Sequence, residues 1–483
     1  MPIDKDSMES KPFIHLFKSS SAYYVYDVNT NQIITVSKDI YNFLSGKVAD
    51  NTEGQNASII DSINDLRIQG YLKSNHVKVS EHPLTELYED YLHNKISHLT
   101  LQVTQMCNLR CEYCTYSGGY NNRSHSDKRM SAEIAQKAID YLIKHSRDSV
   151  DRFGLSFFGG EPLLAFDLIK MCVHYIKERA EGRTVKFNFT TNGTLLTEEK
   201  IEFLMENDFN ILVSLDGPDY IHNKNRKFAN SEKGSFDILI KNLDMIKNKY
   251  PKFYKNNISF NTVLDPTNEF TCVNDFIINS EMFDKTRFSS SVINDTYAKN
   301  PIVYSSNFEE EYEYELFKLY LSKLGWLSEQ EISPMLNSSF STIKRTARSL
   351  ESKKLTQIPE VSHRGGPCLP AVHKLFVDVN GEFYPCERVS ESSSVTKIGN
   401  IDSGIDLNKA IRLLNIEQFT TDLCKNCWGY YYCTTCIARA DDGTKISKDM
   451  IESACEGVRK NIESDFLDYC VLKELGYDIE LDE

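Results

Sequence analysis

No stretch of the 483-residue chain reaches eighteen consecutive apolar residues, roughly the length a helix needs to cross a bilayer. The opening, Met1-Pro2-Ile3-Asp4-Lys5-Asp6, lacks the basic-then-apolar pattern of a secretory signal. These absences predict a cytoplasmic chain with no membrane partner. Positive charge is also scarce: 55 Lys and Arg stand against 69 Asp and Glu, a net charge of -14. Phosphate binding needs a basic surface that releases counterions, so no nucleic acid is expected as partner. Fibrous and disordered classes are excluded as well, because 41% hydrophobic and 26% charged residues are the proportions of a globular chain. The length suits about two to four domains.

Cysteine is what the chain has in quantity, with 13 residues. In a long chain kept in a reducing compartment this points to metal ligation rather than disulfides. Cys172, Cys272 and Cys470 stand alone and are expected to be buried thiols. The others are grouped, beginning with Cys107, Cys111 and Cys114 in Gln105-Met106-Cys107-Asn108-Leu109-Arg110-Cys111-Glu112-Tyr113-Cys114. Three thiolates on a four-iron cubane leave one iron open, and reactions occur at an open position. A zinc site or a chance group of thiols is the plain alternative.

This spacing resembles the Cys-x3-Cys-x2-Cys signature of the radical S-adenosylmethionine (SAM) enzymes, including the aromatic Tyr113 before the last cysteine. The resemblance implies that Cys107, Cys111 and Cys114 are the catalytic cluster ligands. SAM would chelate the fourth iron, and one electron would split it into methionine and a 5′-deoxyadenosyl radical.

From His98 onward, strand-like and helix-like runs alternate. The expected strands are Leu99–Thr104, Phe153–Phe158, Val185–Thr190, Asn210–Leu215, Ile258–Val263 and Arg287–Ile293. They are short and apolar without clean alternation, as parallel strands buried on both faces are. Amphipathic helices are expected at Ala132–His145, Phe166–Ala180, Glu198–Asn207 and Ser235–Lys249. The resemblance implies an α/β fold, a partial (β/α)6 TIM-like barrel over residues 96–300, with its site at the C-terminal ends of the strands.

Polar motifs fall at those ends. Gly159-Gly160-Glu161-Pro162 resembles the family's Gly-Gly-Glu motif, in which Glu161 would accept from the SAM amino group. Thr190-Thr191-Asn192-Gly193 would face the carboxylate and nearby hydroxyls. The resemblance further implies Ser214 and Asp216 near the ribose, Arg226 near the SAM carboxylate, and Asn261 and Val263 along the adenine, with Tyr113 also in the cofactor site.

Residues 1–95 contain two strand-like runs, Ala22–Asp27 and Gln32–Val36, around a turn at Val28–Asn31, then a helix capped by Ser37 and a second over Ala57–Ile68 ended by Gly70. This resembles the winged-helix precursor recognition element of peptide-modifying enzymes, which takes a leader as an extra strand. Residues 301–365 read as a helical connector, with one long helix at Phe308–Leu324.

Residues 366–483 hold seven more cysteines. Cys368 precedes a hairpin whose Asn380-Gly381 is a type I′ turn signal, and Cys386 follows it; then come Cys424-x2-Cys427-x5-Cys433-x2-Cys436 and Cys455. The spacing alone allows a zinc ribbon. The whole pattern resembles the SPASM domain of radical SAM peptide maturases, with two auxiliary [4Fe-4S] clusters and thus three in all. By that resemblance Cys424, Cys427, Cys433 and Cys455 close one cluster, while Cys368, Cys386 and Cys436 leave the other one ligand short. Two residues rather than three separate Cys433 from Cys436, a departure that loosens this partition.

The resemblance is to sactipeptide and ranthipeptide synthases. It implies thioether formation between a cysteine sulfur and a carbon of a ribosomally made precursor peptide, with a low-potential donor such as flavodoxin or ferredoxin. Carbon-carbon crosslinking, epimerisation and formylglycine formation are the rival chemistries, and a non-catalytic zinc-ribbon protein is the rival class.

Overall fold

The computed structural model describes residues 11–47, 53–146, 152–180, 182–284, 286–351, 357–365 and 368–478. The expected N-terminal hairpin is present as β2 (Tyr23–Asp27) and β3 (Gln32–Val36). A strand that the sequence reading missed, β1 (Ile14–Lys18), completes a three-stranded antiparallel sheet in the order β1-β2-β3. Asp27 sets its turn by accepting from the Thr30 amide at 3.0 Å and from the Leu72 amide at 2.7 Å. Helix α1 (Lys38–Leu44) starts where Ser37 Oγ accepts from the Ile40 amide, and α2 (Glu53–Ile68) ends before Gly70 at φ +105°. Strand β4 (Val79–Ser80) and helix α3 (Tyr88–Asn94) lead into the main sheet.

That sheet begins with six parallel strands: β5 (His98–Thr104), β6 (Arg152–Gly159), β7 (Thr184–Thr191), β8 (Phe209–Ser214), β9 (Ile258–Leu264) and β10 (Arg287–Val292), each hydrogen-bonded to the next. The expected strands are thus all present, with bounds within a residue or so. Helices α4 (Ala132–Lys144), α5 (Phe166–Arg179), α6 (Glu198–Glu206), α7 (Asp219–Asn225), α8 (Phe236–Lys249), α9 (Pro251–Asn257) and α10 (Phe270–Ile278) connect them. Apolar residues at helical spacing, such as Ala135, Ala138, Ile139 and Leu142 of α4, face the sheet and are fully buried. Phe157, Phe187 and Phe209 stack across adjacent strands, and removing such area from water is the main stabilising term. Cys172 and Cys470 are buried as expected; Cys272 is only half-buried, its thiol donating to Glu269.

The connector is more ordered than its polar sequence suggests. Helix α11 (Ser306–Lys323) is followed by α12 (Asn337–Leu350), which buries Phe340, Ile343, Ala347 and Leu350. This segment covers the outer β10 strand, where Ser290 Oγ donates to the Met335 carbonyl at 2.8 Å. Strand β11 (Val361–Ser362) then pairs with β4.

The C-terminal region does not stand apart from the sheet. Strand β12 (Leu375–Val377) pairs in parallel with β5, aligning Leu375 with Leu99. It is followed by β13 (Glu382–Tyr384), β14 (Gly399–Asn400) and β15 (Gly404–Ile405), giving one ten-stranded sheet. The turn between β12 and β13 is not type I′, which needs positive φ at two central residues. Here Gly381 has φ +83° and Asn380 does not share it; the Gly381 amide instead bonds the Asp378 carbonyl at 3.0 Å. Asp378 selects this turn by accepting from the Asn380 and Glu382 amides.

Helices α13 (Leu407–Leu414), α14 (Thr421–Cys424) and α15 (Lys448–Glu474) complete the chain. Helix α15 docks the N-terminal sheet: Phe466 lies 4.7 Å from the Tyr26 ring and 6.0 Å from the Phe17 ring, and Glu474 accepts from Ser19, Ser21 and Tyr24. His15 stacks on Trp428 at 3.7 Å. Among the described residues no helix is long and apolar enough to cross a membrane.

Candidate active site

Cys107, Cys111 and Cys114 lie on the loop after β5, and the loop is pinned from two sides. On one side the Gly160 amide bonds the Thr104 carbonyl at 3.0 Å, and the Glu161 amide bonds the Met106 carbonyl at 2.9 Å. A Cβ on Gly159 would fall 2.0 Å from the Thr104 oxygen, and one on Gly160 2.2 Å from the Met106 oxygen. The two glycines therefore let the cysteine loop pass against the end of β6, a role visible without any cofactor. On the other side the Arg110 amide bonds the Lys227 carbonyl, and the Ala229 amide bonds the Asn108 carbonyl, both at 2.8 Å.

Glu161 is buried, and burial pushes its pKa up. One oxygen accepts from the Thr191 hydroxyl at 2.8 Å and the Leu163 amide at 3.0 Å, and the other from the Asn192 amide at 2.9 Å. Asn192 continues the chain of contacts: its Nδ2 donates to Asn108 Oδ1 at 2.9 Å, while Asn108 donates to Thr194 at 2.8 Å. Asn108 and Thr194, missed in the sequence, tie the cysteine loop to the end of β7. Their only signal was adjacency to Cys107 and to Gly193.

Asp216 and Arg226 form a buried bidentate pair, Nε to Oδ2 at 2.8 Å and Nη2 to Oδ1 at 3.0 Å. Tyr113 OH donates to the same carboxylate, and the Val263 amide reaches it at 3.2 Å. The Arg226 guanidinium lies 5.4 Å from the Tyr113 ring centre, a cation–π contact. Behind it, His222 is fully buried, and burial lowers its pKa to about 3. The neutral ring bonds Ser235, whose hydroxyl donates to the Arg226 carbonyl. Ser214 ends β8 and is buried, and Asn261 on β9 accepts from Ser289 at 3.0 Å.

Burial pushes the Cys107 thiol up to about 12 and Cys111 to about 11, with nearby Arg226 pulling Cys111 down. The Leu109 amide donates to Cys107 Sγ at 3.3 Å. Three sulfur donors on one loop are the ligand type that a soft, thiophilic metal group takes, and binding it would displace the thiol protons.

The C-terminal cysteines form two neighbourhoods. Cys436 bears electrostatically on Cys368 and Cys386, and Cys433 on Cys424 and Cys455, with Cys427 also beside Cys455. Among the described residues no group of three or more His, Cys, Asp or Glu closes around a single metal ion. Cys368 is exposed. Cys386 lies two residues past β13, level with the start of β5, whereas Cys107 follows its end. Along the strands that separation is on the order of 20 Å.

Residues 101–270 match the family model of the radical SAM superfamily. This chain carries a radical SAM domain. The domain spans β5 to the start of α10, so the cysteine loop, the Glu161 contacts and the Asp216–Arg226 pair all belong to it. Among its curated relatives is the serine-type anaerobic sulfatase-maturating enzyme of Bacteroides thetaiotaomicron, 35% identical over 147 residues, which are 30% of this chain and 35% of that one. Another is the radical SAM cyclopropyl synthase TigE of Paramaledivibacter caminithermalis, 27% identical over 241 residues, 47% of each. The chain spans less than half the length of these relatives. Beyond the radical SAM domain, the fold resembles the solved structure of anSMEcpe with bound AdoMet: TM-score 0.54 at 19% identity, covering 76% of this chain and 99% of that one.

Proposed function

We propose that this chain is a radical SAM peptide maturase that joins a cysteine sulfur to a carbon of another residue in a ribosomally made precursor. Cys107, Cys111 and Cys114 would hold a [4Fe-4S] cluster, with Gly160, Glu161, Thr191, Asn192, Ser214, Asp216, Arg226, Asn261 and Val263 around SAM. Bound there, cluster and SAM supply a one-electron cleavage that yields a hydrogen-abstracting 5′-deoxyadenosyl radical. The relatives, which include sulfatase-maturating and cyclopropyl-forming enzymes, support radical SAM chemistry on a peptide.

The observation that carries the thioether reading is the three-cysteine neighbourhood of Cys368, Cys386 and Cys436, its first member exposed to solvent. Three thiolates suit a SPASM-type cluster with one position left for a cysteine of the substrate. The rise of β5 separates this neighbourhood from the Cys107 loop, so SAM and the substrate together would have to fill the span, with the acceptor carbon lying beside both the 5′-carbon of SAM and the substrate sulfur. Cys424, Cys427, Cys433 and Cys455 would hold the second auxiliary cluster. The N-terminal sheet with α1 and α2 would act as a winged-helix-like recognition module, taking the leader as an added strand. Flavodoxin or ferredoxin in the cytoplasm would supply electrons.

The test is anaerobic reconstitution with SAM, dithionite and the cognate Cys-containing peptide. A mass loss of two hydrogens per crosslink, with loss of the free thiol, is expected. A modified product that keeps its thiols would replace this reading by carbon-carbon crosslinking or epimerisation. Conversion of a cysteine or serine to formylglycine would place the chain with the sulfatase maturases by activity.

A further inference from the structure

Arg364 is 3% exposed, yet its Nε and Nη2 have no hydrogen-bond partner among the described residues. A buried guanidinium with unmet donors is costly and calls for an anionic acceptor. Among the described residues its one side-chain hydrogen bond is Nη1 donating to Cys433 Sγ at 3.1 Å. Its charge also bears on Cys424 and on Cys455, the latter together with the half-buried Arg459, so it sits beside at least three of the four cysteines assigned to the second auxiliary cluster.

The backbone is built to hold it there. The Arg364 amide donates to Glu417 Oε2 at 2.5 Å. His363 accepts from the Glu417 amide on Nε2, which leaves its Nδ1–H to donate to the Arg364 carbonyl at 2.9 Å. At Gly365 a Cβ would lie 1.9 Å from the Tyr431 carbonyl oxygen, so only glycine lets this segment press against the loop between Cys427 and Cys433. Glu417 faces the same space, but its carboxylate is taken up by the Arg364 amide, Ser80 and Tyr430.

We propose that Arg364 is the charge partner of the cluster carried by Cys424, Cys427, Cys433 and Cys455, and that it raises that cluster's reduction potential. Reduction adds one electron from the titrant and no proton or bond. The extra negative charge is stabilised by the guanidinium and its N–H···S contact to Cys433, levers by which proteins set such potentials. Arg364 is a positioning and tuning residue, not a catalytic one. The inference rests on the cluster assignment made above, and the experiment separates the two.

The full chain is reconstituted anaerobically and titrated with dithionite under EPR. Arg364→Gln should load iron as the wild type does and lower the midpoint of one cluster by about 59 mV or more, a tenfold fall in the one-electron reduction constant. Arg364→Lys, which keeps the charge but loses the planar fork, should shift it less. Iron-loaded variants with every midpoint unchanged would overturn the proposal. Loss of iron from both variants overturns it as well, because a residue that only tunes the potential leaves the cluster loaded. A wild-type chain that takes up only about four irons fails the cluster assignment itself, a result distinct from an unchanged potential.

Discussion

The Arg226 guanidinium grips the Asp216 carboxylate through two hydrogen bonds, 2.8 and 3.0 Å long, with both side chains almost wholly buried. The pair stands at the end of β8 and reaches Tyr113 in the cysteine loop, so one ion pair joins a strand end, the loop after α7 and the thiol site. Breaking it from either side leaves a buried charge unmatched.

Asp216→Asn is therefore expected to destabilise the chain by about 3–5 kcal/mol and to abolish 5′-deoxyadenosine release. Chemical denaturation of the apo-protein and chromatography of the reaction mixture read the two effects separately.

Gly160→Ala places a methyl 2.2 Å from the Met106 carbonyl oxygen. The cysteine loop has to move away, while the sheet beneath it keeps its packing. Expected are a near-native circular dichroism spectrum and an iron content about a third lower, as one of the three proposed clusters is lost.

Cys107→Ala, Cys111→Ala and Cys114→Ala should each end SAM cleavage while the proposed C-terminal clusters remain. Iron assay and EPR should report about eight irons per chain, with SAM no longer perturbing the spectrum.

His222, His98 and His363 are held neutral, with pKa values lowered to about 3, 4 and 4, burial being the largest cause in each. Their folded values lie below the unfolded value near 6.5, so the unfolded state binds more protons in between. Their stabilising effect is present above about pH 6.5 and is lost as pH falls toward 3 to 4. Apo-protein stability measured from pH 7 to pH 4 should fall steeply, and His222→Asn should flatten the slope.

Phe466→Ala removes the ring that packs on Phe17, Tyr26 and Tyr432. A cost of about 3–5 kcal/mol is expected, concentrated at the seam between the N-terminal sheet and α15. Limited proteolysis should then cut the N-terminal region first.

The sequence by itself determined the cysteine spacing, the six parallel strands and the polar motifs at their ends. Each is a local pattern, in which a buried parallel strand needs a short apolar run and a loop needs its Gly-Gly or Asn-Gly. It also showed the N-terminal hairpin and the cap at Ser37. Only the tertiary structure decided what those motifs touch: that Gly159 and Gly160 face the cysteine loop, that Asp216 holds Arg226, and that Asn108 meets Asn192. It alone revealed the parallel pairing of β12 with β5, the docking of β1 on α15, and Arg364 beside Cys433. Those contacts join residues from ten to hundreds of positions apart, and no periodicity within a window of the chain encodes which partner fills a buried hydrogen bond or balances a buried charge.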